Sequence, residues 1–275
     1  PNLSIDFRGG QIVEVRCEPA IDLSDARGVL VAADVGVQQV QHFGSDEELL
    51  IYLEADADLG VEQGTKTIPQ ILAEAFPDSD VELRREEKVG PKIGQELRTG
   101  AINSVVVALA LIMLYITIRF AHFQFALGAV VALIHVVLIT LGLFSLMGKE
   151  ISLFILAAFL TIIGYSLNDT IVVFDRIREN MAMRRKETYE SVVNKSLNET
   201  LSRTIITSIT TLLVAVILFV FGGPVIHDFA FALTIGVLVG TYSSIFVASP
   251  VVIAWYRWRS GDRKASSGKA APAKA

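Results

Sequence analysis

Five long apolar runs follow one another after residue 100, and each is close to the ~20 residues a helix needs to cross ~30 Å of hydrocarbon. They cover residues 101–120, 125–146, 151–174, 204–221 and 229–255. In hydrocarbon a chain must satisfy its own backbone donors and acceptors, so these runs are predicted to be membrane-spanning helices. Charged or turn-forming residues break the pattern at 119–122, 147–150, 175–203 and Gly222-Gly223-Pro224. The first and third breaks must lie on one side of the membrane and the second and fourth on the other.

Charge divides the chain at the same place. Residues 1–98 hold twenty acids against nine bases (net −11), whereas residues 99–275 hold nine acids against fifteen bases (net +6). This predicts a water-exposed domain, residues 1–97, joined to a membrane domain, residues 98–256, with a polar loop near 177–202 and a disordered basic tail, 257–275. Basic residues collect on the cytoplasmic side of spans. Arg119, Arg176, Arg178, Arg184, Arg185, Lys186, Lys195, Arg203, Arg257, Arg259, Arg263 and Lys264 flank one set of breaks, and the opposite short loops offer only Lys149. The first set is therefore expected inside with the C-terminus, and residues 1–97 outside. Delivering that domain outward requires an apolar segment before Pro1, so a first membrane helix is expected upstream of this chain.

The external domain has its own pattern. Residues 11–17 alternate as a half-buried strand. Asp22 or Ser24 caps a helix running to about Ala33. Residues 38–43 and 48–54 flank the turn Gly44-Ser45-Asp46. A second helix starts at Thr65 or Thr67 and stops at Pro77, and residues 81–89 form a last strand. The order β-α-β-β-α-β is that of a ferredoxin-like sandwich. Its one cysteine, Cys17, allows no intrachain disulfide and is expected to be buried in a strand. No metal-ligand spacing, nucleophile triad or phosphate loop occurs in it.

Several segments together resemble the SecF family. They are Asp6-Phe7-Arg8-Gly9-Gly10, Val89-Gly90-Pro91, and residues 164–180 (GYSLNDTIVVFDRIREN), followed by 201–211 (LSRTIITSITT), 221–224 (FGGP) and 240–249 (GTYSSIFVAS). The resemblance implies a polytopic helical inner-membrane protein of the resistance–nodulation–division superfamily, with six spans, of which this chain would hold the last five. It also implies an accessory, non-enzymatic subunit that uses the proton gradient to promote polypeptide export. SecD and the SecYEG channel are the partners it implies, with YajC and YidC as further candidates, beside the translocating polypeptide and membrane lipid. No cofactor, metal or nucleic acid is expected. Two other readings stay open: a proton-driven exporter of small molecules or lipids, and a scaffold that stabilises SecD and the channel without proton coupling.

Asp169 is the leading site residue, because a carboxylate inside a span usually faces the bundle interior and handles protons or ions. It lies ~10 Å from Arg176 along a helix. Its neighbour Asn168 is placed in the same proton pathway. The resemblance leads one to expect His-Asp in the middle of the second run, where this chain has His135-Val136. His135 can take up a proton or merely hydrogen-bond between helices. Either SecD supplies the missing carboxylate, or coupling leans on Asp169 alone. Thr204, Thr207, Ser208 and Thr211 fall on one helix face, as a packing device or as a hydrated seam toward Asp169. Gly236, Gly240 and Ser244 recur every fourth residue and permit close helix approach, within this subunit or toward SecD. Asp175/Arg178 and Arg176/Glu179 are expected to pair where the third span leaves the membrane. Residues 182–200 read as an amphipathic helix along the cytoplasmic surface.

Overall fold

The computed structural model describes residues 2–54, 66–120, 122–184 and 186–267, with side chains as far as Arg259. It divides into two compact units. One comprises residues 1–103, 148–153 and 223–225, and the other holds the remainder.

The first unit is built on a four-stranded sheet. Its elements are strand β1 (Asn2–Leu3), the single turn α1 (Ile5–Arg8), β2 (Gly10–Glu18), α2 (Leu23–Ala32), β3 (Val37–Phe43), β4 (Ser45–Leu53), α3 (Ile68–Ala75) and β5 (Asp80–Val89). The sheet order is β3-β4-β2-β5 with every pairing antiparallel, the topology of the expected ferredoxin-like sandwich. Alternation decides which face is core. Val13, Val15 and Cys17 of β2 and Leu49, Ile51 and Leu53 of β4 pack against Ala26 and Leu30 of α2 and Ile68 and Leu72 of α3. The intervening Leu50 and Tyr52 pack with Ile5 on the other face, so β4 is buried on both sides. Edge strand β5 is exposed along most of its charged length, which discourages pairing with another chain. Both helices start where predicted. Asp22 accepts the Ser24 N–H at 2.7 Å, and Gln70 Oε1 accepts the Thr67 N–H at 3.0 Å. Thr65, the alternative start, lies outside the described residues.

The sequence reading treats residues 4–10 only as a motif, and the structure gives them a local purpose. Ser4 caps α1, and Gly9 ends it at φ +78°, a conformation that favours glycine. A Cβ at Gly9 would lie 2.9 Å from the Pro91 Cα, and one at Gly94 would lie 2.9 Å from the Gly9 nitrogen. The Asp-Phe-Arg-Gly-Gly and Val-Gly-Pro segments thus touch each other through their backbones. The chain start also pairs in parallel with β6 (Glu150–Ile151), and Asp6 Oδ2 accepts the Leu153 N–H at 2.9 Å. Ile151, read from sequence as the start of a span, is therefore strand.

The second unit is helical. Five stretches are long and apolar enough to cross a membrane among the described residues: α4 (Pro91–Phe120), α5 (Phe123–Leu146), α6 (Leu153–Met183), α7 (Tyr189–Phe221), and α8 (Gly223–Ser243) continued by a π-helical turn (Ser244–Ala248) into α9 (Ser249–Ser267). The fifth predicted span is thus two helices joined by a π turn. Residues 189–200 run straight into α7, and α6 ends at Met183, which corrects the expected surface-lying helix at 182–200. Helix α9 continues to Ser267, past residue 257, where the sequence places a disordered tail; residues 268–275 lie outside the described residues. At one end Phe120, Phe125 and Phe174 pack mutually with ring centroids 5.0–6.1 Å apart. They bring α4, α5 and α6 together with Ala248 and Val252 of the last helices.

Candidate functional site: a carboxylate among hydroxyls

Asp169 sits in the middle of α6 and is 2% exposed. Ser208 of α7 donates to its Oδ2 at 3.5 Å, the outer edge of hydrogen-bond reach. Thr241 of α8 donates to Ser208 Oγ at 2.7 Å, and the Tyr165 hydroxyl does so at 3.4 Å. Three helices therefore converge on one carboxylate through side chains that can each donate and accept. Such an arrangement can pass a proton between neighbours without breaking backbone structure. The positive charge of Arg203 also acts on the carboxylate across the same helix pair.

The structure brings together part of what the sequence proposed. Thr204 and Ser208 face inward, 2% and 7% exposed. Thr207 instead donates to the Arg203 and Thr204 carbonyls, and Thr211 to the Thr207 carbonyl, so both satisfy themselves within α7. All four lie on the inward-turned face of α7, Thr207 and Thr211 half-buried, and Ser208 is the one that donates to Asp169. Asn168 is exposed, not part of the cluster. Successive residues on a helix stand ~100° apart, so the two neighbours of Asp169 turn different ways: Thr170 is buried and Asn168 turns out. Asn168 continues an exposed α6 stripe with Thr161 and Gly164.

His135 on α5 is half-buried, and its ring centroid lies 6.2 Å from that of Tyr242. Its Nδ1 is buried without a hydrogen-bond partner among the described residues. No described hydrogen bond links it to Asp169. Tyr242 and Thr241 are successive on α8, so one turns toward His135 and the other toward Ser208.

Gly236 and Gly240 pack α8 onto α6 inside this chain. A Cβ at Gly236 would lie 2.4 Å from Ile162, and one at Gly240 would lie 3.2 Å from Ser166 Cβ. Ser244 is fully buried and donates to the Thr241 carbonyl at 2.9 Å. The small-residue repeat thus serves an intrachain interface.

Below Asp169, Arg176 pairs with Glu179 at 2.6 Å as expected, and also with Glu199 of α7 at 2.6 Å. Asp175 does not pair with Arg178. Arg119 takes it at 3.0 Å, while Arg178 donates to the Arg119 carbonyl at 3.3 Å. A guanidinium on a neighbouring helix thus takes the place of the intrahelical partner. Arg185, counted with the basic set, lies outside the described residues.

Sequence reasoning missed Tyr165, Thr241 and Arg203. Tyr165 stands one turn before Asp169 in the same motif, a spacing that could have found it. Thr241 lies between two small residues that drew attention to packing, and Arg203 was counted only as a topology marker.

The model of the protein export membrane protein SecD/SecF C-terminal family matches residues 69–258. The SecF translocase subunit of Calditerrivibrio nitroreducens is 47% identical over 253 residues, 91% of this chain and 83% of that one. The one from Rhodothermus marinus is 50% identical over 260 residues, 91% and 82% of the two chains. The crystal structure of SecDF, a translocon-associated membrane protein from Thermus thermophilus, matches with a TM-score of 0.80 at 40% identity over 93% of this chain. SecDF in its super-membrane-facing form gives a TM-score of 0.70 at 40% identity over 96%. This chain spans about a third of those SecDF chains, 34% and 36%. With the site geometry, these matches place the chain, a multi-pass membrane protein, in the SecF branch of the SecD/SecF family of protein-export membrane proteins.

Proposed function

We propose that this chain acts beside SecD as an accessory subunit of Sec-dependent protein translocation, and that proton passage through Asp169 drives its contribution. The single observation that carries the coupling is a carboxylate buried inside a span and joined to a Ser208–Thr241 hydroxyl chain from two neighbouring helices. Buried ionisable groups at this depth are costly unless they work. In this reading the protein lies in the inner membrane with the α+β unit outward and the C-terminus inward, an orientation that the basic residues at the span ends support. The exposed α6 stripe of Thr161, Gly164 and Asn168 is the face offered to SecD helices, because a polar group in lipid seeks a partner helix. SecYEG receives the assembled subunits, with YajC and YidC as further partners.

The test is Asp169→Asn in membrane vesicles carrying the whole translocase. The variant is expected to lose the gradient-dependent part of export, down to the level of vesicles lacking this subunit, while SecD still co-purifies. Undiminished gradient-dependent export would refute proton coupling through this residue. The scaffold reading draws on His135, whose neighbour is Val136 and whose Nδ1 meets no carboxylate. A scaffold would tolerate His135→Ala and Asp169→Asn together; a proton-driven subunit would stall with assembly intact.

A further inference from the structure

The basic end of the helical unit holds a cavity that the proton site does not use. It has a volume of about 320 Å³ and lies between the start of α5, the end of α6 and α9. Its wall is mixed: His122 and Gln124 with Phe123 from α5, Met181 from α6, and Trp255, Tyr256 and Arg259 from α9. That volume falls at the lower end of the range of small-ligand pockets.

Three features identify the ligand class. First, Arg259 has no carboxylate partner among the described residues, although its neighbours do: Arg257 holds Glu190 at 2.8 Å and Arg119 holds Asp175 at 3.0 Å. The cation lining the cavity is thus available while the surrounding acids are engaged. Second, His122 occupies the cap position of α5 without capping it through its side chain, so the ring lines the cavity beside the first-turn N–H groups. Third, the apolar wall is aromatic and rigid. Trp255 packs on Phe123 at 5.9 Å and edge-on to Trp258 at 5.3 Å, and Tyr256 stacks on Tyr189 at 4.0 Å. Trp and Tyr gather where lipid headgroups meet the acyl region. Gln124 is held by the Tyr189 hydroxyl at 3.3 Å, which fixes the floor.

A guanidinium and an imidazole over an aromatic wall at the end of a span suit a phosphodiester with acyl chains attached. We propose that this cavity binds the headgroup phosphate of an anionic phospholipid, with Arg259 and His122 as its polar contacts and Trp255 as the rest for the glycerol and upper chain. A basic pocket between helices at the membrane surface is the kind of site that takes such headgroups. The proposal rests on the membrane-embedded reading of the helical unit but not on proton coupling, so the two fail separately.

The experiment titrates delipidated full chain, purified with SecD, with phosphatidylglycerol and reads bound lipid by native mass spectrometry. Wild type is expected to prefer phosphatidylglycerol over phosphatidylcholine. Arg259→Gln should weaken that preference by about fivefold, the worth of one cation near a lipid surface, and adding His122→Ala should weaken it further. Arg257→Gln, which removes the same charge outside the cavity, should leave it unchanged. The proposal is overturned if Arg257→Gln weakens binding as much as Arg259→Gln, which would mean general surface charge. It is also overturned if phosphatidylcholine binds equally well, or if inorganic phosphate displaces the lipid at comparable concentration, which would mean a free-anion site. Co-purification of Arg259→Gln with SecD and an unchanged thermal unfolding midpoint in detergent, followed in parallel, show that the variant is folded.

Discussion

Among the described residues the α+β unit buries two polar side chains, Ser4 and Gln11, whereas the helical unit buries twelve, from Thr140 on α5 to Ser249 on α9. In the first unit, apolar residues alone mark the core, because water on the outside makes hydrophobicity a directional signal. In the second unit the outer surface is as apolar as the inner one: Ile118, Leu138 and Ile206 are all at least 60% exposed. Hydrophobicity there no longer sorts faces, and small residues and hydroxyls take over. Ser243 donating to the Ala132 carbonyl at 3.0 Å, across two helices, is the helical unit's counterpart to Val15 packing against α2.

The strongest challenge to this contrast is at Gly236. If close approach holds the helical unit together, Gly236→Leu should abolish accumulation in the membrane, and Gly236→Ala should cost about 1–3 kcal/mol by overpacking against Ile162. Thermal unfolding in detergent measures the second, and Ile162→Val should recover part of it. An Ala variant as stable as wild type would mean that α8 and α6 are held by something else. Next in size is Asp6, whose carboxylate caps the α6 backbone from 147 residues away. Asp6→Ala should destabilise by about 0.5–2 kcal/mol, and Asp6→Asn, which keeps the accepting oxygen, by much less. Equal losses in both would show that charge, not capping, is what matters there.

Smaller effects are expected from Cys17. It is fully buried in β2, and burial pushes its thiol up from the usual range, so alkylation of the folded protein at neutral pH should be slow and become fast in denaturant. Rapid labelling of the native protein would show that the sandwich opens locally. The smallest effect concerns Asp22, held below the usual carboxylate range chiefly by the Ser24 hydroxyl and then by the Ser24 N–H. A carboxyl lowered on folding contributes stability above its unfolded value and loses it as pH falls through its folded value. Acid titration should therefore fray α2 below the ordinary aspartate range, and Asp22→Ala should remove that pH dependence.

Legibility followed the same division. Strand β2 was readable from period-2 alternation and both long helices from their caps and Pro77, because local pattern and burial agree in a water-exposed domain; β4, buried on both faces, instead begins at Ser45, inside the predicted turn Gly44-Ser45-Asp46. The short β1–β6 pairing and the Asp6 cap were not, since two residues carry no periodic signal and the partners lie 147 to 148 positions apart. Within the site, Asp169 and Ser208 were found because a charge and a hydroxyl stand out in apolar runs. Asn168 turns outward, and Thr207 and Thr211, half-buried on the same α7 face as Ser208, donate within their own helix: spacing gives a face but not which hydroxyls on it reach the carboxylate. The small-residue repeat was visible, yet whether it met α6 or a partner subunit was not.

From the sequence alone came the membrane spans, the sandwich order, the basic side and the single costly carboxylate. These follow from length, alternation and charge, which act along the chain. The tertiary structure alone decided which hydroxyls reach Asp169, that Asp175 prefers Arg119 to Arg178, and that Gly236 sits against Ile162. Those outcomes depend on the rotation of one helix against another, and rotating a helix by ~100° exchanges adjacent residues without changing anything a linear pattern records.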